Sequence, residues 1–234
     1  MYTRTLLRPL LARPIVPVQR LVPLTVRYGS TFPQPTQAAD SFRTETPVEE
    51  HIINDHRSFE ELYDRFKANE GNTEEQSAII NELVREVAQH SIAEETVVYP
   101  ALENTNAFGK GESIADHLRQ EHYQVKKLLY KLDSMEVTDP GFNSTLSQVM
   151  DTLKEHAEEE ESKELPELQK LLSKEERIGL SRSFLRRKAI SPTRPHPGAP
   201  DKPPALEVAA GLPVAPIDKL RDQARNFAER RVPQ

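Results

Sequence analysis

His90-Ser91-Ile92-Ala93-Glu94-Glu95-Thr96-Val97-Val98-Tyr99-Pro100-Ala101-Leu102 is the stretch on which the reading of this 234-residue chain turns. A histidine and a carboxylate four residues apart lie one above the other on a single helix face. The pattern returns as His156-x-x-x-Glu160-Glu161 … Pro166-x-Leu168, displaced by 66 positions. His56 and His122 stand at the same spacing, as do His51 and His117, so six of the seven histidines form three pairs. The offset extends to apolar positions: Ile52 pairs with Leu118, Leu62 with Leu128, Phe66 with Leu132, Leu83 with Val149 and Val87 with Leu153. Repeats commonly build solenoids. Two copies of a helix pair close instead into one bundle with approximate two-fold symmetry.

Working outward, the apolar residues recur at helical spacing in four runs. Thr46-Pro47-Val48-Glu49 predicts a helix start, with a hydroxyl cap, proline in the first turn and an acid three residues on. Ile52, His56, Phe59, Leu62, Tyr63 and Phe66 share its stripe, and Gly71-Asn72 ends it. Thr73-Glu74-Glu75-Gln76 reads as a capping box opening a second helix, with Ile80, Leu83, Val84, Val87, His90, Glu94, Val97 and Val98 on one face. Residues 104–111 read as a loop. A third helix carries Ile114, Leu118, His122, Val125, Leu129 and Leu132. After the Asp139-Pro140-Gly141 turn, a fourth carries Leu146, Val149, Leu153, His156 and Glu160. The fold expected over residues 46–172 is all-α, an up-down-up-down four-helix bundle.

Composition places flexible tails on either side. Of 19 prolines only Pro100, Pro140 and Pro166 fall between residues 48 and 190. The first 39 residues hold five Arg and no acid, whereas the whole chain has a net charge of −6. Residues 1–42 therefore read as a mitochondrial transit peptide, with Arg27-Tyr28-Gly29-Ser30 resembling a processing site and the matrix as destination. The plainer alternative is a disordered basic leader on a cytoplasmic protein, since Pro9, Pro14 and Pro17 shorten any helix there. Residues 173–190, with Ser173-Lys174-Glu175-Glu176 as a cap and Arg182, Arg186, Arg187 and Lys188 behind it, read as a basic, solvated helical extension. Residues 191–234 read as a Pro-rich tail. Its part up to 216 is expected to be extended, and Ile217, Leu220, Ala224 and Phe227 form a short amphipathic latch. The acidic core gives no electrostatic case for nucleic acid, and no apolar run approaches the roughly 18 residues of a membrane span. With no cysteine, any metal must sit on imidazole and carboxylate.

One histidine on an apolar stripe is ordinarily a core residue with a satisfied hydrogen bond. Four helices each turning one inward is a different case. Burying four imidazoles and two carboxylates uncompensated would cost several kcal/mol, which a marginally stable domain cannot absorb. Two cations neutralise that charge; the alternative is a metal-free polar network. The expected ligands are His56, His90, Glu94, His122, His156 and Glu160, with two histidines per metal and both glutamates able to bridge. Open positions and all-imidazole/carboxylate ligation suit redox iron over manganese or zinc. Glu95 and Glu161 follow the ligand glutamates; Asp55 and Glu121 precede the first histidine of each half. Glu95 and Glu161, about 100° round the helix from the ligands, are expected to cap, orient a ligand or sit exposed, and Asp55 and Glu121 to accept hydrogen bonds from behind the ligands. His51 and His117 lie about 140° round the wheel from His56 and His122, off the metal, and are expected to support the ligands from behind or to lie on the surface. Pro100 and Pro166 are expected to loosen the helix beyond the site.

These residues resemble a known family. Asp55-His56-Arg57, His90-x-x-x-Glu94-Glu95 … Tyr99-Pro100, Glu121-His122 and His156-x-x-x-Glu160-Glu161 … Leu165-Pro166 look like the hemerythrin-like, or HHE cation-binding, domain, over about residues 47–170. The tails look like those of its fungal members. The resemblance implies two iron ions in an oxo- or hydroxo-bridged non-haem centre, held by the six ligands above. Oxygen carriers of the family have a fifth histidine on the third helix. Leu118 occupies that position here, with His117 beside it, which argues against reversible dioxygen carriage. Three functions remain open. They are binding or sensing of dioxygen, peroxide or nitric oxide; oxidoreductase turnover such as peroxide decomposition; and a metal-dependent interaction module without turnover.

Overall fold

A computed structural model of the chain describes residues 44–104, 111–199 and 204–229. The readings made above for residues 1–42, and most of the 104–111 connection, lie outside them. Among the described residues every regular element is helical. In chain order these are α1 (Val48–Ala68) and α2 (Thr73–Ala93), a π turn (Glu94–Val98), and α3 (Tyr99–Asn104). Then come α4 (Gly111–Asp133) and α5 (Phe142–Glu159), a second π turn (Glu160–Glu164), and α6 (Leu165–Leu171). α7 (Lys174–Ile190) and α8 (Pro204–Asp222) complete the set. α1 packs on α2, α2 on α4, α4 on α5 and α5 on α1, so the four long helices close a ring. The architecture is a helical bundle with more elements than the four helices expected.

The helix starts differ from the expected caps. Pro47, not Thr46, holds the N-cap position of α1. The Thr46 amide is taken by Thr44 Oγ1 at 3.0 Å, so the chain is still turning there. At α2 the cap is Asn72, whose side chain accepts from the Glu75 amide. Thr73 is already helical, because a short amide side chain competes well for an orphan N–H. Gly141, at φ 86°, caps α5 in a left-handed conformation that a side chain would strain.

The two π turns are themselves displaced by 66 positions, and each ends just before a proline, Pro100 or Pro166. Proline donates no hydrogen bond, and in a regular helix its ring would press on the carbonyl four residues back. The Tyr99 amide bonds Glu94 O and the Leu165 amide bonds Glu160 O, five residues back in each case. This widened turn admits the proline and inserts one residue into the face. One turn beyond Glu94, the inward position therefore falls at Tyr99, five residues on.

Two apolar clusters lie on either side of the histidines. The larger gathers Phe59, Leu62, Leu83, Val87, Val125, Leu129, Leu146 and Leu153; the smaller gathers Ile52, Val98, Tyr99, Leu118, Leu165 and Phe184. His56 falls between Ile52 and Phe59, His122 between Leu118 and Val125. The site is thus a polar layer between two dry ones.

The C-terminal residues depart furthest from expectation. α7 is not a solvated extension: it packs on α1, α2 and the first π turn, and Ile178, Ser181 and Phe184 are buried. Three residues at every third position make a narrow inward stripe, which the basic residues around it conceal in the sequence. Nor is the Pro-rich stretch extended throughout, since residues from Pro204 are helical with Pro213 and Pro216 inside α8. Polar ties hold this region. His196 donates to Asp218 at 2.8 Å, Arg194 pairs with both Asp133 and Asp222, and Arg225 reaches Asp133 at 2.7 Å. Ile217 and Leu220 of the expected latch are 52% and 66% exposed. The residue that joins the core is instead Ala228, whose amide donates to Ala78 O at 3.2 Å.

Because Phe184 is fully buried in the smaller cluster, Phe184→Ala is expected to lower unfolding free energy by about 3–5 kcal/mol. Urea unfolding followed by circular dichroism checks this; a loss below about 1 kcal/mol would make α7 an appendage.

Candidate metal centre

α1, α2, α4 and α5 each turn one histidine inward, and His56, His90, His122 and His156 are all buried. Each imidazole is held through Nδ1 by a carboxylate. His56 donates to Glu161 at 2.9 Å, His90 to Asp55 at 3.1 Å, His122 to Glu95 at 2.9 Å and His156 to Glu121 at 2.8 Å. An ionised carboxylate only accepts, so every Nδ1 carries hydrogen and every Nε2 is left to face the interior. The four pairs obey the repeat: Asp55 and Glu121 serve a histidine of their own half, while Glu95 and Glu161 cross to the other. The four carboxylates that the sequence marks as neighbours of the site are thus brought to its histidines.

A basic side chain stands behind each of these carboxylates in turn. Lys188 pairs with Asp55, Lys126 with Glu95, and Arg57 with Glu161 at 2.5 Å. His117 lies 3.5 Å from Glu121. Burial would raise the pKa of Asp55, but the Lys188 charge and the His90 hydrogen bond bring it below the usual carboxylate range. The His156 bond lowers Glu121, and the His56 bond lowers Glu161. All three stay ionised and keep their hold on the imidazoles.

Toward the interior, Glu94 Oε2 lies 3.1 Å from His90 Nε2 and 3.3 Å from His122 Nε2. Glu160 Oε2 lies 3.5 Å from His56 Nε2 and 4.0 Å from His156 Nε2. Each glutamate therefore spans the two halves. Donor atoms of His56, His90 and Glu94 lie within 4.8 Å of one another, as do those of Glu94, His122 and His156. His56 Nε2, His90 Nε2 and both oxygens of Glu94 and of Glu160 are buried without a hydrogen-bond partner. At about 1–3 kcal/mol for each unsatisfied atom, the total would rival the whole stability of an ordinary domain, about 5–15 kcal/mol. The His122 and His156 Nε2 atoms stand 3.0 Å apart. That suits two nitrogens bound to one ion, which at about 2.1 Å and a right angle lie about 3.0 Å apart. It is a poor distance for two facing lone pairs. The donor set fits divalent cations.

The other histidines stand elsewhere. His51 Nε2 contacts Thr44 Oγ1 at 3.4 Å. His117 is 53% exposed and faces Glu121 and Glu159 at 3.5 and 3.6 Å. Neither joins the buried cluster. Sequence reasoning missed Tyr99, whose hydroxyl lies 3.0 Å from His122 Nε2. Burial, with the charges of Glu94 and Glu160, raises its pKa well above the usual tyrosine value, so it remains a donor. It also missed Phe184, edge-on to His90 at 6.0 Å between ring centroids. The π turn was the signal for Tyr99; for Phe184 and Lys188 the sequence offered none, since both come from α7.

Without a metal, protons relieve the same convergence. Burial disfavours a charged His90, but the Glu94 charge and the Asp55 bond outweigh it and push the pKa up to about 10. His122 is raised against its burial by bonds to Glu94 and Glu95. Burial and the Glu94 charge lift Glu160 well above the carboxylate range. Glu94 goes the other way, with burial outweighed by the His90 charge. Burial pulls His156 down to about 4 and also lowers His56.

Imidazoles and carboxylates converging from facing helices define a metal-binding helical bundle. The family model of the hemerythrin HHE cation binding domain matches residues 48–168, and the chain belongs to that family. An uncharacterized hemerythrin-like protein of Schizosaccharomyces pombe is 42% identical over 183 residues, covering 78% of this chain and 88% of that protein. The aligned length thus exceeds the domain itself. No solved structure matches the chain.

Protons on His90, His122 and Glu160 must leave when a cation enters. Metal uptake is therefore expected to release protons and to weaken as pH falls through about 10, where His90 takes up its proton. Calorimetric titration with Fe(II) in buffers of different ionisation enthalpy checks the sign. A heat independent of buffer would contradict it.

Proposed function

We propose that this is a di-iron-binding protein that binds, senses or reacts with dioxygen, peroxide or nitric oxide. In this reading the four long helices run up-down-up-down around the centre, His56 and His90 hold one ion, His122 and His156 the other, and Glu94 and Glu160 lie between. The observation that carries the reading is the set of four carboxylate-locked imidazoles whose Nε2 atoms converge on two buried glutamates. Imidazole and carboxylate without thiolate suit redox iron, which supplies ligand binding and electron transfer when bound. The chain's own residues set the conditions around it. Leu118 and Phe184 are fully buried and keep water from the histidines. Leu118 also stands where an oxygen carrier of the family has a fifth histidine, which favours reaction or sensing over reversible carriage. The Tyr99 hydroxyl offers the interior a hydrogen-bond donor.

Aerobically purified protein is expected to hold two irons per chain. Glu94→Ala and His122→Ala should each lose iron, whereas His117→Ala should keep it. Retention of two irons in the first two variants, measured by metal analysis, would refute the ligand set. Peroxide turnover by the iron-loaded chain, compared with free iron, separates an oxidoreductase from a binder or sensor. Among the described residues no helix is long and apolar enough to cross a membrane. For location we infer the mitochondrial matrix, from the basic, acid-free composition of residues 1–39. A fluorescent protein fused behind residues 1–40 should enter mitochondria; cytosolic fluorescence would overturn this.

A further inference from the structure

Residues of the matched domain and of the segment beyond it together line a cavity of about 50 Å³, against the roughly 10–15 Å³ on the same measure that one water needs. Ala88 and Ile92 of α2, Ile190, Pro192 and Val214 of α8 are among its lining. These walls are apolar. Four basic side chains also reach it: Lys126, Arg187, Arg194 and His196.

Three of the four already have an anion. Lys126 pairs with Glu95, Arg194 with Asp133 and Asp222, and His196 with Asp218. Arg187 forms no ion pair among the described residues, and its Nε is buried without a hydrogen-bond partner. A buried guanidinium N–H with nothing to accept from it is costly, and Arg187 is one of the residues that line the cavity. A guanidinium is also the group best shaped to take a carboxylate through two parallel N–H bonds. The apolar remainder asks for hydrocarbon rather than for a second polar group.

We propose that this cavity binds a small amphipathic carboxylate, a short- to medium-chain fatty acid. Its head rests on Arg187 and its chain lies among Ile92, Ile190, Pro192 and Val214. The cavity meets the surroundings of the histidine cluster through Lys126, which pairs with Glu95, but the proposal does not depend on which metal that cluster holds.

Hexanoate titrated into the full chain by calorimetry tests it. Saturable binding of one hexanoate per chain is expected, with hexanol at least tenfold weaker. Arg187→Gln should weaken hexanoate binding at least tenfold. Ala199→Leu, which fills the cavity from its lining and leaves Arg187 in place, should weaken it as much; circular dichroism confirms that each variant is folded. If Arg187→Gln fails to fold, Ala199→Leu decides. Absence of saturable hexanoate binding to the folded wild-type chain overturns the proposal. So does equal binding of hexanol, and so does undiminished binding in either folded variant.

Discussion

Everything in this bundle depends on the hydrogen bond between an imidazole Nδ1 and a carboxylate, made four times over. Each bond fixes a tautomer, sets a ring orientation and sends one Nε2 lone pair inward. A buried layer built of acceptors cannot stand alone, so the fold is committed to a cation or to protons in its place. The apolar clusters on either side supply stability and keep the layer dry. Low dielectric then makes the choice of counter-charge more consequential than it would be in water.

The two halves are alike in ligands and unlike in surroundings. Asp55, behind His90, is backed by Lys188 from α7 and is buried, while its counterpart Glu121, behind His156, faces the exposed His117. Tyr99 reaches His122, while Leu165 holds the equivalent place in the other half. A duplicated helix pair has thus been differentiated by residues just beyond each copy's ligands. The additions come from the π turn and from the chain after residue 168, outside the matched domain.

Much of this was legible in the sequence, for a physical reason. Helical periodicity is a short-range property, and the 66-residue echo doubled the signal at every ligand position. The all-helical bundle and the inward histidines follow from that. What stayed hidden was long-range or compensated. The bond from His56 to Glu161 spans 105 residues and that from Lys188 to Asp55 spans 133, and no local pattern encodes either. The stripe of Ile178, Ser181 and Phe184 was masked by its basic neighbours, so α7 read as solvated. Proline content suggested an extended tail, but residues from Pro204 are helical with Pro213 and Pro216 inside α8, and Arg194 and His196 tie its far end. The cap at α2 moved by one residue because the Asn72 side chain takes the Glu75 amide and its carbonyl the Gln76 amide, which leaves Thr73 inside the helix.

In the reading we propose, four carboxylate-locked imidazoles present Nε2 to two cations that Glu94 and Glu160 would also hold. Anomalous diffraction at the iron edge from crystals of the iron-loaded protein measures this most directly. The account predicts two peaks inside the bundle, one beside His56 and His90 and one beside His122 and His156, each contacted through Nε2. A single peak, ligation through Nδ1, or iron found only at the exposed His117, Glu121 and Glu159 group would contradict it.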